Sequence, residues 1–271
     1  MIKDVSIGRY YQADSVLHRL DPRVKVFLFI VYMVTVFLAD TAIAMATSFA
    51  VILYLTFLSR IPVLEVLKSV RPIVFIMIFI FILNLFTNRA GQTLWSWGFL
   101  VITDDGLKRA VLLAFRLFLL ILVTGLLLSL TTTPLKLADA LESLGSPLKV
   151  IHVPVNEMAM TISIALRFIP TLVEETDKIM KAQSSRGAEY DTGNIFQRAK
   201  GYVTVLVPLF VSAFKRAEEL ATAMDARCYR GGVGKTKLHP LHMKGSDWLW
   251  MVLLTATAFL PVLVDLLWKI K

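Results

Sequence analysis

Of the chain's 271 residues, 56% are hydrophobic and 18% charged, and the mean hydropathy is +0.68. A soluble domain carries about a quarter charged residues, so this chain has too little polar surface to enclose a water-soluble globule and reads as an integral membrane protein. Its net charge of +9 marks cytoplasmic loops in a membrane chain rather than nucleic-acid binding. A single cysteine, Cys228, excludes an intrachain disulfide framework and a cysteine-based metal cluster. The length leaves no room for many spans plus an ATPase domain, so any motor is expected on a separate chain.

Residues 1–23 carry Lys3, Asp4, Arg9, Asp14, Arg19, Asp21 and Arg23 before any apolar run, and read as a cytoplasmic N-terminal segment without a signal peptide. Four spans are expected within 24–131. Between residues 26 and 59 the only charge is Asp40. One helix there would be roughly 50 Å long at ~1.5 Å per residue, far beyond a ~30 Å hydrocarbon core, so Asp40-Thr41 is read as the turn of a two-span hairpin. Residues 72–88 form a third uncharged run, and 107–135 a fourth, interrupted by Arg116. Arg116 has two readings: it pairs inside a bundle, or it sits at the outer boundary with 107–115 along the interface and the span starting at Leu117. The long uncharged stretch after it favours the boundary. A fifth span, 248–264, lies in the last segment, 247–271, where Trp248, Trp250 and Trp268 are candidate interface anchors.

Lys and Arg number five up to Lys25 and fifteen in 132–246, against three in the 89–109 loop. That bias places the N-terminus, the 60–71 loop and the 132–246 segment on the cytoplasmic side of a multi-pass cell-membrane protein, and five spans leave the C-terminus outside. The long cytoplasmic segment has helical patterning of its own. Met158, Ile162, Ala165, Ile169, Leu172, Thr176, Ile179 and Gln183 recur at three and four, which predicts an amphipathic helix entered after Pro154, bent at Pro170 and ending at Ser184-Ser185-Arg186-Gly187. A second helix is predicted from about Pro208 to Arg227, stopping at Gly231-Gly232. Residues 202–214 before and within it are apolar but short, and suit a packed or shallow helix.

The two helix ends resemble each other at an offset of 41 residues: Ala182 with Ala223, Ser185 with Ala226, Arg186 with Arg227. An arginine near a helix C-terminus complements the helix dipole, and glycine supplies the left-handed cap, so either end alone is explained by capping. Two copies on one membrane protein also suit docking to a two-fold ATPase, because arginine's planar fork makes several fixed hydrogen bonds through a small contact.

Ser15-Val16-Leu17-His18-Arg19-Leu20-Asp21-Pro22-Arg23-Val24-Lys25 resembles the amino-terminal motif of the transmembrane T component of energy-coupling factor transporters, a family that includes the cobalt-transport membrane subunit. Ser185-Arg186-Gly187 is similar to the family's first signature, and Ala226-Arg227-Cys228-Tyr229-Arg230-Gly231-Gly232 followed by Lys235-Thr236-Lys237 to its second. The resemblance implies an all-α membrane protein of about five spans with long amphipathic coupling helices. It would be the scaffold of an ATP-binding-cassette importer of vitamins or other micronutrients, with metal ions less favoured as cargo. By the same resemblance two cytoplasmic ATPase subunits dock on Ser185, Arg186 and Gly187 and on Ala226, Arg227 and Cys228, and a small membrane S component captures the cargo. Ser185 stands where the family has alanine and Cys228 where it has glycine, and the latter argues against a left-handed cap at 228. The S component is expected on an apolar surface of the coupling helices, with Met158, Ile162, Ile169, Met180 and Leu220 as candidates. Ordinary helix packing is the competing explanation for each.

No catalytic residues, metal site or cofactor are expected. Residues 231–236 imitate the end of a P-loop, but Tyr229 stands where the motif needs glycine and no apolar strand precedes it. His239 and His242 offer two ligands without a third. A membrane enzyme would need clustered polar residues at membrane depth, where only Arg116, Asn84 and Asp265 stand out. A secondary transporter would need paired broken helices around a midplane site.

Overall fold

Ser15 and Asp21 start the first two helices. The Ser15 hydroxyl accepts from the His18 amide at the head of α1 (Val16–Arg19), and the Asp21 carboxylate accepts from the Arg23 amide at the head of α2 (Pro22–Leu38), with Pro22 in the first turn. The computed structural model describes residues 10–87, 91–97, 100–188, 194–231 and 240–270. The chain divides into two units, one of Gly8–Ala140 with Leu241–Lys271 and one of Met1–Ile7 with Leu141–Pro240.

In the first unit, α2 stops at Ala39, and Thr41 caps α3 (Ala42–Ser59) by accepting from the Ala44 amide, so Asp40-Thr41 is the predicted hairpin turn. The loop expected at 60–71 is instead mostly helical. α4 (Val63–Lys68) leads through a 3-10 turn at Arg71–Ile73 into α5 (Val74–Thr87), and together they make one apolar stretch of 25 residues, Val63–Thr87. A small antiparallel hairpin of β1 (Thr93–Trp97) and β2 (Leu100–Thr103) lies in the loop beyond. Thr103 then caps α6 (Asp104–Thr124), which runs on as a π-helical turn over Gly125–Leu130. Four stretches are long and apolar enough to cross a membrane: Ala42–Ser59, Val63–Thr87, Asp104–Leu130 and Gly245–Lys269 within α10 (Gly245–Ile270).

α2, expected as the first span of the hairpin, has 17 residues and is not among these four. It runs parallel to α10 along its whole length. Arg23 Nη2 donates to the Leu241 carbonyl, the Tyr32 hydroxyl donates to the Leu254 carbonyl, and Asp40 pairs with Lys269 at 3.3 Å. Two parallel helices are separated by an odd number of crossings, which α3, α4–α5 and α6 supply. Exposed Trp248 and Trp268 stand twenty residues apart on α10, about 30 Å at ~1.5 Å per residue, which matches the hydrocarbon thickness.

Leu28, Met45, Ile52, Leu119, Leu126 and Leu254 form the centre of this unit, each almost fully buried. α5 has no buried residue, and Phe75 is 80% exposed, as suits a helix facing lipid. Lipid tails are as apolar as leucine, so burial alone holds such helices weakly and polar ties carry more of the association. The ties gather at one end. Asp40 accepts from Arg116 Nη2 at 3.2 Å, Arg116 also donates to the Ala39 carbonyl at 2.7 Å, and Asp265 takes the Thr41 hydroxyl at 2.6 Å and Lys269 at 2.9 Å. α6 passes through Arg116 without a break, so no interfacial segment ends at 115. The arginine clamps the α2–α3 turn from the end of the bundle, which joins the pairing reading with the boundary one. Asn84 donates to its own helix, at the Ile80 carbonyl.

The second unit contains the last residues of α7 (Pro134–Leu144), a 3-10 segment at Ser146–Ile151, α8 (Val155–Ser185) and α9 (Ile195–Ala226). α8 begins after Pro154 and runs through Pro170 as one helix. α9 begins thirteen residues before the predicted start at Pro208 and takes in the apolar 202–214 stretch. Val205 on this added part is buried at 4%, so packing supplies what local sequence cues did not.

Candidate docking site on two arginine-tipped helices

α8 and α9 end in the same backbone geometry. At α8, the Gly187 amide donates to the Ser184 carbonyl and the Ala188 amide to the Gln183 carbonyl, each at 3.0 Å, with Gly187 at φ +86°. At α9, the Cys228 amide donates to the Asp225 carbonyl at 2.9 Å and the Tyr229 amide to the Met224 carbonyl at 3.0 Å, with Cys228 at φ +59°. Both are Schellman closures, which satisfy the last helix carbonyls and turn the chain away. Cys228 therefore does take the left-handed cap that its side chain argued against. The bonds of the closure outweigh a penalty of roughly 1 kcal/mol for a non-glycine residue there.

Each closure leaves its arginine as the last residue before the turn. Arg186 and Arg227 are exposed, and neither guanidinium has a hydrogen-bond or ionic partner among the described residues. Ser185, Gly187, Ala226 and Cys228 are exposed beside them, so each arginine projects from a small-sided tip. Such a tip suits insertion into a groove, where the free fork finds carboxylates and carbonyls.

The 41-residue correspondence extends beyond the tips. Leu172 and Ala213, Ile179 and Leu220, and Gln183 and Met224 are half-buried on their respective helices, each pair at equivalent positions. Between them the helices are joined through Glu175, whose carboxylate accepts from the Ser212 hydroxyl and from Arg216 Nη2, each at 2.5 Å. The Ser212 hydroxyl, then Arg216, hold the Glu175 carboxyl below the ordinary carboxylate range, against the opposing effect of desolvation. The sequence reading missed Glu175 and Arg216. Their offset of 41 was the available signal, but Glu174, Glu175 and Asp177 cannot be told apart without knowing which face meets α9.

The predicted apolar stripe of α8 splits in two. Met158, Ile162 and Ala165 are exposed, whereas Ile169, Leu172, Thr176, Ile179 and Gln183 are half-buried. Of the candidate S-component contacts, Met158 and Ile162 thus lie on an open apolar surface, 54% and 44% exposed, while Ile169, Met180 and Leu220 are half-buried.

The amino-terminal motif builds a corner in the other unit. Lys25 is 2% exposed, and its Nζ donates to the Thr131 carbonyl at 2.7 Å and to the His18 carbonyl at 3.4 Å, so one cation serves the C-terminal ends of α6 and α1. Leu17 and Leu20 are buried beneath it. Among the described residues no group of three His, Cys, Asp or Glu side chains could hold a metal ion. Residues 232–239, with the P-loop imitation, Lys235-Thr236-Lys237 and His239, lie outside the described residues, as do residues 1–9.

The family model described as cobalt transport protein matches residues 13–240, from the amino-terminal motif through both arginine tips. The energy-coupling factor transporter transmembrane protein of Ruminiclostridium cellulolyticum is 52% identical over 249 residues, covering 91% of this chain and 92% of that protein. The protein of the same description from Acidaminococcus fermentans is 46% identical over 89% of both chains, and the one from Clostridium kluyveri 42% identical over 99% of both. Matched by the model over residues 13–240 and by such relatives over 89–99% of its length, the chain belongs to the cobalt transport protein family, together with the energy-coupling factor transmembrane proteins.

Proposed function

We propose that this chain is the scaffold of an energy-coupling factor importer, carrying force from two ATPase subunits to a membrane S component that holds a vitamin or another micronutrient. The observation that supports it most is the pair of matching helix closures, each presenting an exposed, unpaired arginine, in a family whose relatives are described as energy-coupling factor transmembrane proteins. Arg186 and Arg227 are the groove residues, with Ser185, Gly187, Ala226 and Cys228 allowing close approach. ATP binding and hydrolysis belong to the partner subunits, and cargo selection belongs to the S component. The N-terminus and the 132–246 segment face the cytoplasm, in keeping with the fifteen Lys and Arg of that segment.

Docking and capping make different predictions for these arginines. If each fills a groove, truncation leaves buried acceptors unpaired and costs about 2–5 kcal/mol of binding per site. Lysine does not rescue it, because an ammonium lacks the planar fork. If each only complements its helix dipole, the cost is ~0.3–1 kcal/mol and lysine serves nearly as well. Uptake and copurification of the ATPases, measured on Arg186→Lys and Arg227→Lys, separate the two. The docking reading predicts impaired uptake in each. Full activity with lysine at both sites would end it.

A further inference from the structure

The contact between α8 and α9 joins two positions that correspond to each other. Glu175 and Arg216 are 41 residues apart, the same offset that relates Arg186 to Arg227 and the half-buried stripes of the two helices. In a two-fold arrangement, a residue that touches its own equivalent lies on the axis. The neighbouring bond agrees, since the equivalent of Ser212, which donates to Glu175, is Thr171, a second hydroxyl one turn before Glu175. Both oxygens of Glu175 are used, and their donors stand one helical turn apart on α9. A single contact would fix only a separation. Two contacts a turn apart also fix register, because sliding α9 by one turn breaks one of them.

Eleven residues separate Glu175 from Arg186, and eleven separate Arg216 from Arg227. That is about 16 Å along each helix and three turns to within about 20°, so each arginine leaves from the helix face that makes the crossing. We propose that Glu175, held between Ser212 and Arg216, is the register pin of a pseudo-two-fold helix crossing and sets the spacing of the Arg186 and Arg227 tips. Two-fold-related tips fit a pair of like ATPase subunits, whose grooves are themselves related by a two-fold axis. The use of that spacing rests on the docking reading above; the crossing itself does not. Glu175 is in this sense a positioning residue, acting through the arginines.

The test is the distance between spin labels in the full-length chain in lipid nanodiscs. Labels go on Ser184→Cys and Asp225→Cys, which are equivalent and exposed, in a Cys228→Ser background. The parent is expected to give one narrow distribution. Glu175→Arg and Arg216→Glu, each placing like charges at the crossing, are expected to broaden or shift it. The double exchange Glu175→Arg with Arg216→Glu is expected to restore it, because Thr171 then stands where the new carboxylate needs a hydroxyl. Glu175→Gln preserves size and still accepts from Ser212, so it guards against misfolding in the charge variants and is expected to give an intermediate width. A distribution unchanged in the single variants, or an exchange as broad as either, overturns the proposal. ATPase copurification with the unlabelled chain, its Ser184, Asp225 and Cys228 native, reads the docking separately. If Arg186→Ala with Arg227→Ala keeps its ATPases while the distances respond as described, the pin stands and the docking reading falls.

Discussion

Cys228 holds a left-handed conformation that glycine holds at the equivalent Gly187, and no heavy atom lies within 4 Å of where a Cβ on Gly187 would stand. The two positions therefore differ in backbone strain and little else. Cys228→Gly is expected to stabilise the α9 closure by about 1 kcal/mol, and Gly187→Ala to destabilise the α8 closure by about as much. Hydrogen exchange at the amides of 187–188 and 228–229 checks both. Lys25 makes a sharper demand. Lys25→Met keeps most of the apolar stem but leaves the Thr131 carbonyl without its 2.7 Å donor, and is expected to cost about 2 kcal/mol, read as a lower unfolding temperature in detergent. The Ser15–Lys25 motif was visible in the sequence as a resemblance. The partner of Lys25 was not, since it lies 106 residues away.

For α8 and α9, pH should act through the crossing. The folded-state pKa of Glu175 is depressed, so its contribution is fully present above the ordinary glutamate value and is lost as the pH falls through the folded value. Its surroundings are cationic on both helices, with Arg216 across the crossing and Lys178 on its own helix. Acidification below about pH 4.5 is expected to loosen the label distance across α8 and α9, and Glu175→Gln to remove that pH dependence. The helical stripe of α8, its start after Pro154 and its glycine stop were legible from spacing alone. The start of α9 was not, because Gly201, Val203, Thr204 and Val205 are poor helix formers, and the helix there rests on buried Gly201 and Val205. The matching closures were half legible: the arginines announced themselves by repetition, while Cys228 concealed a geometry that only the backbone reveals.

For the whole molecule, hydropathy was enough to find four of the expected spans, since four stretches satisfy it without regard to their neighbours, whereas α2, at 17 residues, rests on its run beside α10. The polar clamp of Arg116, Asp40, Asp265 and Lys269 was hidden because its members come from three distant parts of the chain. Orientation can be read from the native cysteine. In cells lacking the ATPases, exposed Cys228 is expected to react with a membrane-impermeant maleimide only in inverted vesicles, and Lys108→Cys in a Cys228→Ser background only in intact cells. The open apolar surface at Met158 and Ile162 has its own test: Met158→Glu or Ile162→Glu should release the S component while the ATPases stay bound.

In the proposed docking, two arginine tips hold two ATPases, each arm supplying avidity for the other. Copurification of the ATPases with Arg186→Ala, Arg227→Ala and the double variant tests it most directly, with the chain's elution from size exclusion as the check that its bundle is intact. Either single change is expected to leave the ATPases bound but uptake impaired, and the double change to release both ATPases from a folded membrane subunit. Retention of both ATPases by the double variant would contradict the claim.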